Sequence, residues 1–126
     1  MAKTPKKTVL LVEDDEVLLR ALYLLFHTSE FTVASATDGE TALTMTQRLK
    51  PDVVLLDLLL PKMNGFDYLK FLKADPALQN IPVLVLSNLG DKENIDKAKT
   101  LGASDYFIKS DTDLSILAEK VNKMIK

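Results

Sequence analysis

Four short apolar segments of this sequence each carry polar residues at or just beyond their carboxyl ends. In chain order these residues are Glu13, Asp14 and Asp15, then Asp57, Ser87 and Lys109. Clustered carboxylates repel and raise one another's pKa unless a cation lies between them. Oxygen ligands select hard ions, and Mg²⁺ is typically held by one or two carboxylates, waters and phosphate oxygens. A carboxylate beside Mg²⁺ can act as a nucleophile toward phosphorus, while an ammonium and the metal neutralise charge during the transfer.

Asp57 needs the most explanation, because it interrupts the most apolar stretch of the chain, residues 53–60, just before Pro61. An ionised carboxylate buried without a partner is costly, so it changes protonation state, finds a cation or reaches a crevice. The purely structural alternative is a strand-end carboxylate that accepts hydrogen bonds from nearby backbone N–H groups. The polar residues at the other strand ends favour a functional site.

The hydrophobic pattern predicts five strands that alternate with five helices. The predicted strands are 8–12, 31–35, 53–57, 83–86 and 106–108; the predicted helices are 16–29, 37–48, 66–73, 92–100 and a last one beginning near 114. The sequence 37–40 has the form of a capping box, with Thr37 as the N-cap. This alternation predicts a doubly wound α/β fold, a parallel sheet with helices on both faces. Ligands of such sheets bind at the carboxyl ends of the strands.

The composition limits the classes of function. A chain of 126 residues suits one domain, and we expect a single domain over residues 1–126 with 1–7 as a flexible N-terminal arm. The absence of cysteine and a single His27 argue against zinc. A net charge of −2 gives no basic surface for nucleic acid, and no apolar stretch approaches the length of a membrane span. We therefore expect a cytoplasmic protein.

Four motifs surround the strand ends: LLVEDDE, VVLLDLLLPKMNGFDYL, PVLVLSN and GASDYFIKS. Jointly they are highly specific, and over essentially its whole length the chain resembles a response-regulator receiver domain of the single-domain chemotaxis type. The resemblance implies the flavodoxin-like strand order 2-1-3-4-5. It also implies a phosphoacceptor switch of a two-component His–Asp phosphorelay. A phosphohistidine on a sensor kinase or phosphotransfer protein would donate the phosphoryl group to Asp57.

The resemblance also implies an Mg²⁺ site. The acidic pair is the first two acids after the first strand, Glu13 and Asp14; because the acidic run continues into Asp15, a pair shifted by one residue is the alternative. Asp14 and Asp57 would bind the metal directly, and Glu13 would assist through water. The backbone carbonyl of Leu59 would complete the protein ligands.

Three further residues match the family's phosphoryl and switch positions. Ser87 would hydrogen-bond the phosphoryl group, Lys109 would pair with it, and Tyr106 matches the switch aromatic. Phosphorylation would then change the face formed by the fourth helix, the fifth strand and the fifth helix, to which a downstream protein binds. We expect a monomer or a weak dimer that depends on phosphorylation. We also expect output through protein contact rather than nucleic acid, if the chain ends at Lys126.

Departures from the family pattern affect the same site. Ser110 follows the lysine where a proline is usual, and a cis bond there would cost about 3–4 kcal/mol, so the isomer of the Lys109–Ser110 bond stays open. Asn88 replaces the small residue that is usual after the hydroxyl position, and we expect it to narrow access to the phosphoryl group. Leu59 and Leu89 are apolar where other members often carry polar side chains, and we expect them to lengthen the phosphoryl lifetime.

Two alternative functions belong to other classes. A pseudo-receiver would bind partners without taking up phosphate, but the set of Asp14, Asp57, Ser87 and Lys109 is intact. A phosphatase with an aspartyl nucleophile would carry a second aspartate where Leu59 stands. The favoured prediction is a regulator that supports only its own phosphotransfer and autodephosphorylation, rather than an enzyme.

Overall fold

The structure is a computed structural model that describes residues 6–27 and 31–125. The strands are β1 Lys7–Val12, β2 Phe31–Ala36, β3 Val53–Leu56, β4 Val83–Ser87 and β5 Asp105–Ile108. The helices are α1 Glu16–Phe26, α2 Gly39–Leu49, α3 Gly65–Ala74, α4 Lys92–Thr100 and α5 Leu114–Met124. Lys7, predicted to belong to the N-terminal arm, is the first residue of β1; residues 1–5 of the predicted arm and 28–29 of the predicted first helix lie outside the described residues.

The strands form one parallel sheet in the order β2-β1-β3-β4-β5, which confirms the predicted doubly wound, flavodoxin-like α/β fold. Val12 at the end of β1 pairs with Ala36 of β2 and Leu56 of β3, and Ser87 at the end of β4 pairs with Ile108 of β5. The polar residues that follow β1, β3 and β5 are therefore brought to one edge of the sheet.

The sheet separates two hydrophobic layers. One face packs against α2, α3 and α4, with Tyr68 and Leu72 of α3 fully buried there; the other packs against α1 and α5 through residues such as Phe26 and Leu117. Neighbouring residues of β5 lie on opposite faces, as strand geometry requires: Tyr106 packs against the first layer and Phe107 against the second.

At some helix ends the sequence offers more than one possible capping residue. The N-cap of α2 is Asp38 rather than the predicted Thr37, because the Asp38 carboxylate accepts a hydrogen bond from the Thr41 N–H at 2.7 Å and another from the Thr41 hydroxyl. The predicted capping box is therefore wrong. At the end of α4, Gly102 has the positive φ of 109° that a C′ glycine adopts.

The segment between β5 and α5 was not predicted in detail. A single 3-10 turn covers Lys109–Asp111, and Asp113 then caps α5. No cis peptide bond occurs among residues 6–27 and 31–125, so the bond between Lys109 and Ser110 is trans. No helix in that part of the chain is long and apolar enough to cross a membrane.

Candidate functional site

Asp57 lies directly after β3 and is held by backbone contacts on both sides. Its N–H donates to the carbonyl of Val12 at 2.9 Å, which continues the pairing of β3 with β1 beyond the strand. One carboxylate oxygen, Oδ1, accepts a hydrogen bond from the Leu59 N–H at 3.2 Å. Only 5% of the residue is exposed, so the second oxygen needs a polar or charged partner.

Two acids after β1 lie beside Asp57. Carboxylate oxygens of Glu13, Asp14 and Asp57 all lie within 4.8 Å of one another; Glu13 and Asp57 are buried and Asp14 is exposed. Asp15 has a different role, because its side chain accepts from the N–H groups of Val17 and Leu18 and caps α1. The cluster therefore contains the first two acids after β1. Its oxygen-only donors, one of them open to solvent, fit a hard divalent cation.

Lys109 joins the buried part of this cluster. Its Nζ lies 2.8 Å from Oε1 of Glu13 and 2.9 Å from Oδ2 of Asp57, so one ammonium bridges the two buried carboxylates. The side chain reaches them from the 3-10 turn after β5, across the end of the sheet. The bridge gives Asp57 the cationic partner that its burial requires.

Burial and the lysine act in opposite directions on these groups. Burial raises the pKa of Glu13 to about 7, although the hydrogen bond from Lys109 acts to lower it. Burial also opposes the charge of Lys109, but the hydrogen bonds to Glu13 and Asp57 outweigh it and raise the lysine pKa. A proton on Glu13 and a cation at the cluster therefore compete in the neutral pH range.

The raised pKa of Glu13 predicts that stability without Mg²⁺ falls as the pH rises from about 4.5 to about 7. In that range the folded chain holds a proton on Glu13 that the unfolded chain has lost, so higher pH lowers the free energy of unfolding, by about 3 kcal/mol in all. Urea unfolding of the parent and Glu13→Gln between pH 5 and pH 8 measures the effect. The free energy of unfolding of Glu13→Gln, minus that of the parent, should increase across this pH range.

Glu16→Gln is the matched control for this experiment, because Glu16 is an exposed acid in the first turn of α1. The difference in free energy of unfolding between Glu16→Gln and the parent should stay constant with pH. A Glu13→Gln difference that is equally constant would contradict the assigned pKa.

Ser87 and Tyr106 lie next to this cluster along the sheet edge. Ser87 is fully buried at the end of β4, and its hydroxyl oxygen accepts a hydrogen bond from the Leu89 N–H at 3.2 Å. The Tyr106 hydroxyl donates to the carbonyl of the same Leu89. The loop that follows β4 is thus tied to both residues, and the ring of Tyr106 is half-buried against it.

Two leucines follow the site residues, Leu59 two residues after Asp57 and Leu89 two residues after Ser87. Leu59 is 58% exposed, whereas Leu89 is half-buried and packs against the first hydrophobic layer. Asn88, between Ser87 and Leu89, is exposed.

Gly65 is a site residue that the polar residues at the strand ends do not indicate. Its N–H donates to the carbonyl of Leu58 at 2.9 Å, and a Cβ there would lie 2.6 Å from the Asp57 carbonyl oxygen and 2.7 Å from the Leu58 Cα. A contact below 3.0 Å with backbone atoms cannot be relieved by rotating a side chain. A glycine that opens a helix after a loop is the signal that could have indicated this close approach.

Comparison with known proteins assigns the family. The response regulator receiver domain family matches residues 9–122, so the chain belongs to it. Receiver domains serve as signalling regulators of two-component systems rather than classical enzymes. Histidine kinases phosphorylate them, they bind Mg²⁺ at an acidic pocket, and they act on downstream partners.

Curated relatives and solved structures agree with this assignment. The response regulator PleD of Caulobacter vibrioides is 36% identical over 110 residues, which are 87% of this chain and 24% of PleD. The phosphorylated cyanobacterial phytochrome response regulator RcpA shares 32% identity with a TM-score of 0.81, covering 95% of this chain and 91% of RcpA. The chemotaxis response regulator CheY4 of Vibrio cholerae has a TM-score of 0.86 at 23% identity, over 95% of this chain and 99% of CheY4, and shows the shared fold. The chain spans less than half the length of the curated relatives it matches.

Proposed function

We propose that the chain is a phosphoacceptor switch in which Asp57 takes a phosphoryl group from a phosphohistidine donor. The observation that carries this proposal is the pocket itself, in which the Asp57 carboxylate lies beside two acids and 2.9 Å from the Lys109 ammonium. An oxygen of Asp57 attacks phosphorus, the P–O bond forms as the P–N bond to the donor imidazole breaks, and the imidazole keeps the electron pair. The product is an aspartyl phosphate.

Glu13, Asp14 and Asp57, with the backbone carbonyl of Leu59, are the groups that would hold Mg²⁺. The metal would neutralise charge on the transferring phosphoryl oxygens. Asp14 is the exposed member, and its oxygen lies within 4.8 Å of oxygens from the two buried acids. Lys109 would leave its bridging position to pair with the new dianion, because that group carries more charge than the carboxylate it replaces.

Ser87 and Tyr106 would carry the signal from the pocket to the partner surface. The Ser87 hydroxyl accepts from the Leu89 N–H at 3.2 Å, and its proton would be donated to a phosphoryl oxygen once Asp57 is phosphorylated. Movement of the Ser87 hydroxyl would shift the loop that follows β4. Because the Leu89 carbonyl in this loop accepts from the Tyr106 hydroxyl, the surface formed by α4, β5 and α5 would change as well. A downstream protein that prefers the shifted surface gains affinity in proportion to that preference. A weak phosphorylation-dependent dimer through this surface is part of the same proposal.

Labelling with a small phosphodonor tests the proposal and separates it from its two rivals. A switch takes up one alkali-labile phosphoryl group per chain when Mg²⁺ is present, and the label depends on Asp57. A hydrolase would instead turn over an external phosphoester many times. A pseudo-receiver would take up no label at all. Either of these last two outcomes would contradict the proposed function.

Leu59 provides a prediction about the lifetime of the phosphoryl group. Leu59 has an exposed apolar side chain, and its N–H donates to the Asp57 carboxylate, so we expect the side chain to keep the attacking water from approaching the aspartyl phosphate. Leu59→Asn, which adds a polar group that can orient water, should shorten the lifetime measured after donor removal. Leu24→Asn, which changes an exposed leucine on the outer face of α1, is the control and should leave the lifetime unchanged. A Leu59→Asn lifetime equal to or longer than that of the parent would contradict the prediction.

A further inference from the structure

The loop from β3 to α3 rests on the first residue of α2, Gly39. The Gly39 N–H donates to the carbonyl of Pro61 at 3.3 Å. A Cβ at Gly39 would lie 2.7 Å from both the carbonyl carbon and the Cβ of Met63, and closer still to the Met63 carbonyl oxygen. Since these are mainly backbone atoms, no rotamer change could make room. Only glycine allows α2 and the loop to approach this closely.

The segment that rests on Gly39 is a tight turn with a strained backbone. Lys62 has a φ of 67°, and the Met63 N–H donates to the Pro61 carbonyl at 2.8 Å, which closes a γ-turn around Lys62. A non-glycine residue in this left-handed conformation costs on the order of 1 kcal/mol or more, so surrounding contacts must maintain it. Asp38, next to Gly39, contributes one such contact, with its Oδ2 4.0 Å from the Lys62 Nζ.

The other end of the same loop is fixed at the candidate site. Gly65 closes the loop against Asp57 and Leu58, so the backbone from Leu59 to Asn64 is held between two glycine contacts. Leu59 lies in this segment, and its N–H donates to the Asp57 carboxylate. A displacement of the γ-turn would therefore be transmitted along a short, restrained backbone to Leu59.

We infer that Gly39 is a positioning residue for the metal site, although it lies on a different helix and contacts none of the acids in the cluster. By allowing the γ-turn to rest on α2, it fixes the backbone of Leu59, whose N–H donates to the Asp57 carboxylate and whose carbonyl would bind the metal. This inference rests on the proposed function, because it assumes that this carbonyl is a ligand. Groups that orient metal ligands commonly change affinity by 10- to 100-fold when lost.

Mg²⁺ titration by calorimetry, at a temperature where circular dichroism shows each variant folded, tests the inference. Gly39→Ala should weaken Mg²⁺ binding by roughly tenfold or more, because the added methyl group displaces the γ-turn. Met63→Ala keeps the Met63 atoms that lie against Gly39 but removes the rest of the side chain, which packs the turn against the first hydrophobic layer. It should therefore weaken binding in the same direction by a smaller factor. If Gly39→Ala does not fold, Met63→Ala decides: weakened binding supports the inference and unchanged binding overturns it.

Gly102→Ala is the control for a general loss of stability. Its Cβ would lie 2.8 Å from the Lys73 Cγ, and alanine is strained at a φ of 109°. The glycine precedes β5, at the sheet edge opposite the acid cluster, so this variant should unfold at a lower temperature but bind Mg²⁺ like the parent.

Two results would overturn the positioning role while leaving the proposed function intact. One is a folded Gly39→Ala variant whose affinity for Mg²⁺ is within twofold of that of the parent. The other is a loss of Mg²⁺ affinity in Gly102→Ala as large as that in Gly39→Ala. A parent chain that binds no Mg²⁺, or binds it as Asp57→Asn does, would instead overturn the proposed metal site and the inference with it.

Discussion

Replacing Asp57 with asparagine is expected to reduce Mg²⁺-dependent labelling by a small phosphodonor to background, a loss of at least about 100-fold. The amide oxygen of asparagine is a much weaker nucleophile than a carboxylate and carries no charge for a metal. Asparagine has the same shape, and its oxygen can still accept from the Leu59 N–H. Lys109 keeps Glu13 as a partner at 2.8 Å. The loss therefore reflects chemistry rather than unfolding.

Asp52→Asn is the matched control for Asp57→Asn. Asp52 precedes β3 at the opposite edge of the sheet, where its carboxylate accepts from the Thr8 N–H at 2.7 Å. The same carboxylate-to-amide change at this edge should leave labelling at the parental level. Labelling that persists in Asp57→Asn would place the nucleophile elsewhere. Label that survives alkali would indicate a phosphohistidine, and His27 is the single histidine of the chain.

The placement of the site residues was predictable because each follows its own strand. Asp57 and Lys109 are 52 residues apart, yet both come directly after strands of a parallel sheet, whose carboxyl ends share one edge. Once the alternation of strands and helices is recognised, their proximity requires no knowledge of the loops. The strand order and the convergence of Glu13, Asp14, Asp57 and Lys109 are confirmed for this reason.

Features that depend on contacts between loops and helices were not predictable in the same way. Thr37 and Asp38 are both good N-cap residues, and only the structure shows that Asp38 caps α2, through its hydrogen bond from the Thr41 N–H. The contact between Gly39 and Met63 joins backbone atoms, so no side-chain pattern marks it. The buried hydrogen bond of 2.7 Å between the hydroxyls of Thr46 and Tyr68 likewise joins α2 to α3. Neither residue type is unusual in a helix, so nothing in the sequence marks this contact.

The turn after Lys109 contains one of the departures from the family pattern. Ser110 stands where the family usually has proline, and the Lys109–Ser110 bond is trans, as expected for a bond that does not precede proline. A 3-10 turn covers Lys109–Asp111, and the Thr112 hydroxyl donates to the Ile108 carbonyl at 2.8 Å across it. The lysine still reaches both buried carboxylates.

Lys109→Met is expected to have two separable effects, because the ammonium holds two carboxylates in the resting chain and would stabilise charge during transfer. Without Mg²⁺ at pH 8, the variant leaves Glu13 and Asp57 buried together with no cation. We expect its free energy of unfolding to fall by roughly 2 kcal/mol, below the cost of a fully buried pair because the Lys109 side chain is 17% exposed. Mg²⁺ should restore more stability to the variant than to the parent, since the metal replaces the missing charge.

The second effect of Lys109→Met concerns phosphotransfer. Loss of one preorganised positive group beside the transferring oxygens should slow labelling by about 100-fold at saturating Mg²⁺. Lys109→Arg keeps the charge with a different shape and should be intermediate. Lys99→Met, in the exposed last turn of α4, should change neither property by much. Unfolding in urea and labelling rates measured on the same preparations give both results.

A variant that loses stability but labels at the parental rate would show that Lys109 stabilises the unphosphorylated site and does not assist phosphotransfer. In that case the charge needed for transfer would have to come from the metal and the Ser87 hydroxyl, because no other cationic side chain among the described residues forms an ion pair with Asp57 or Glu13.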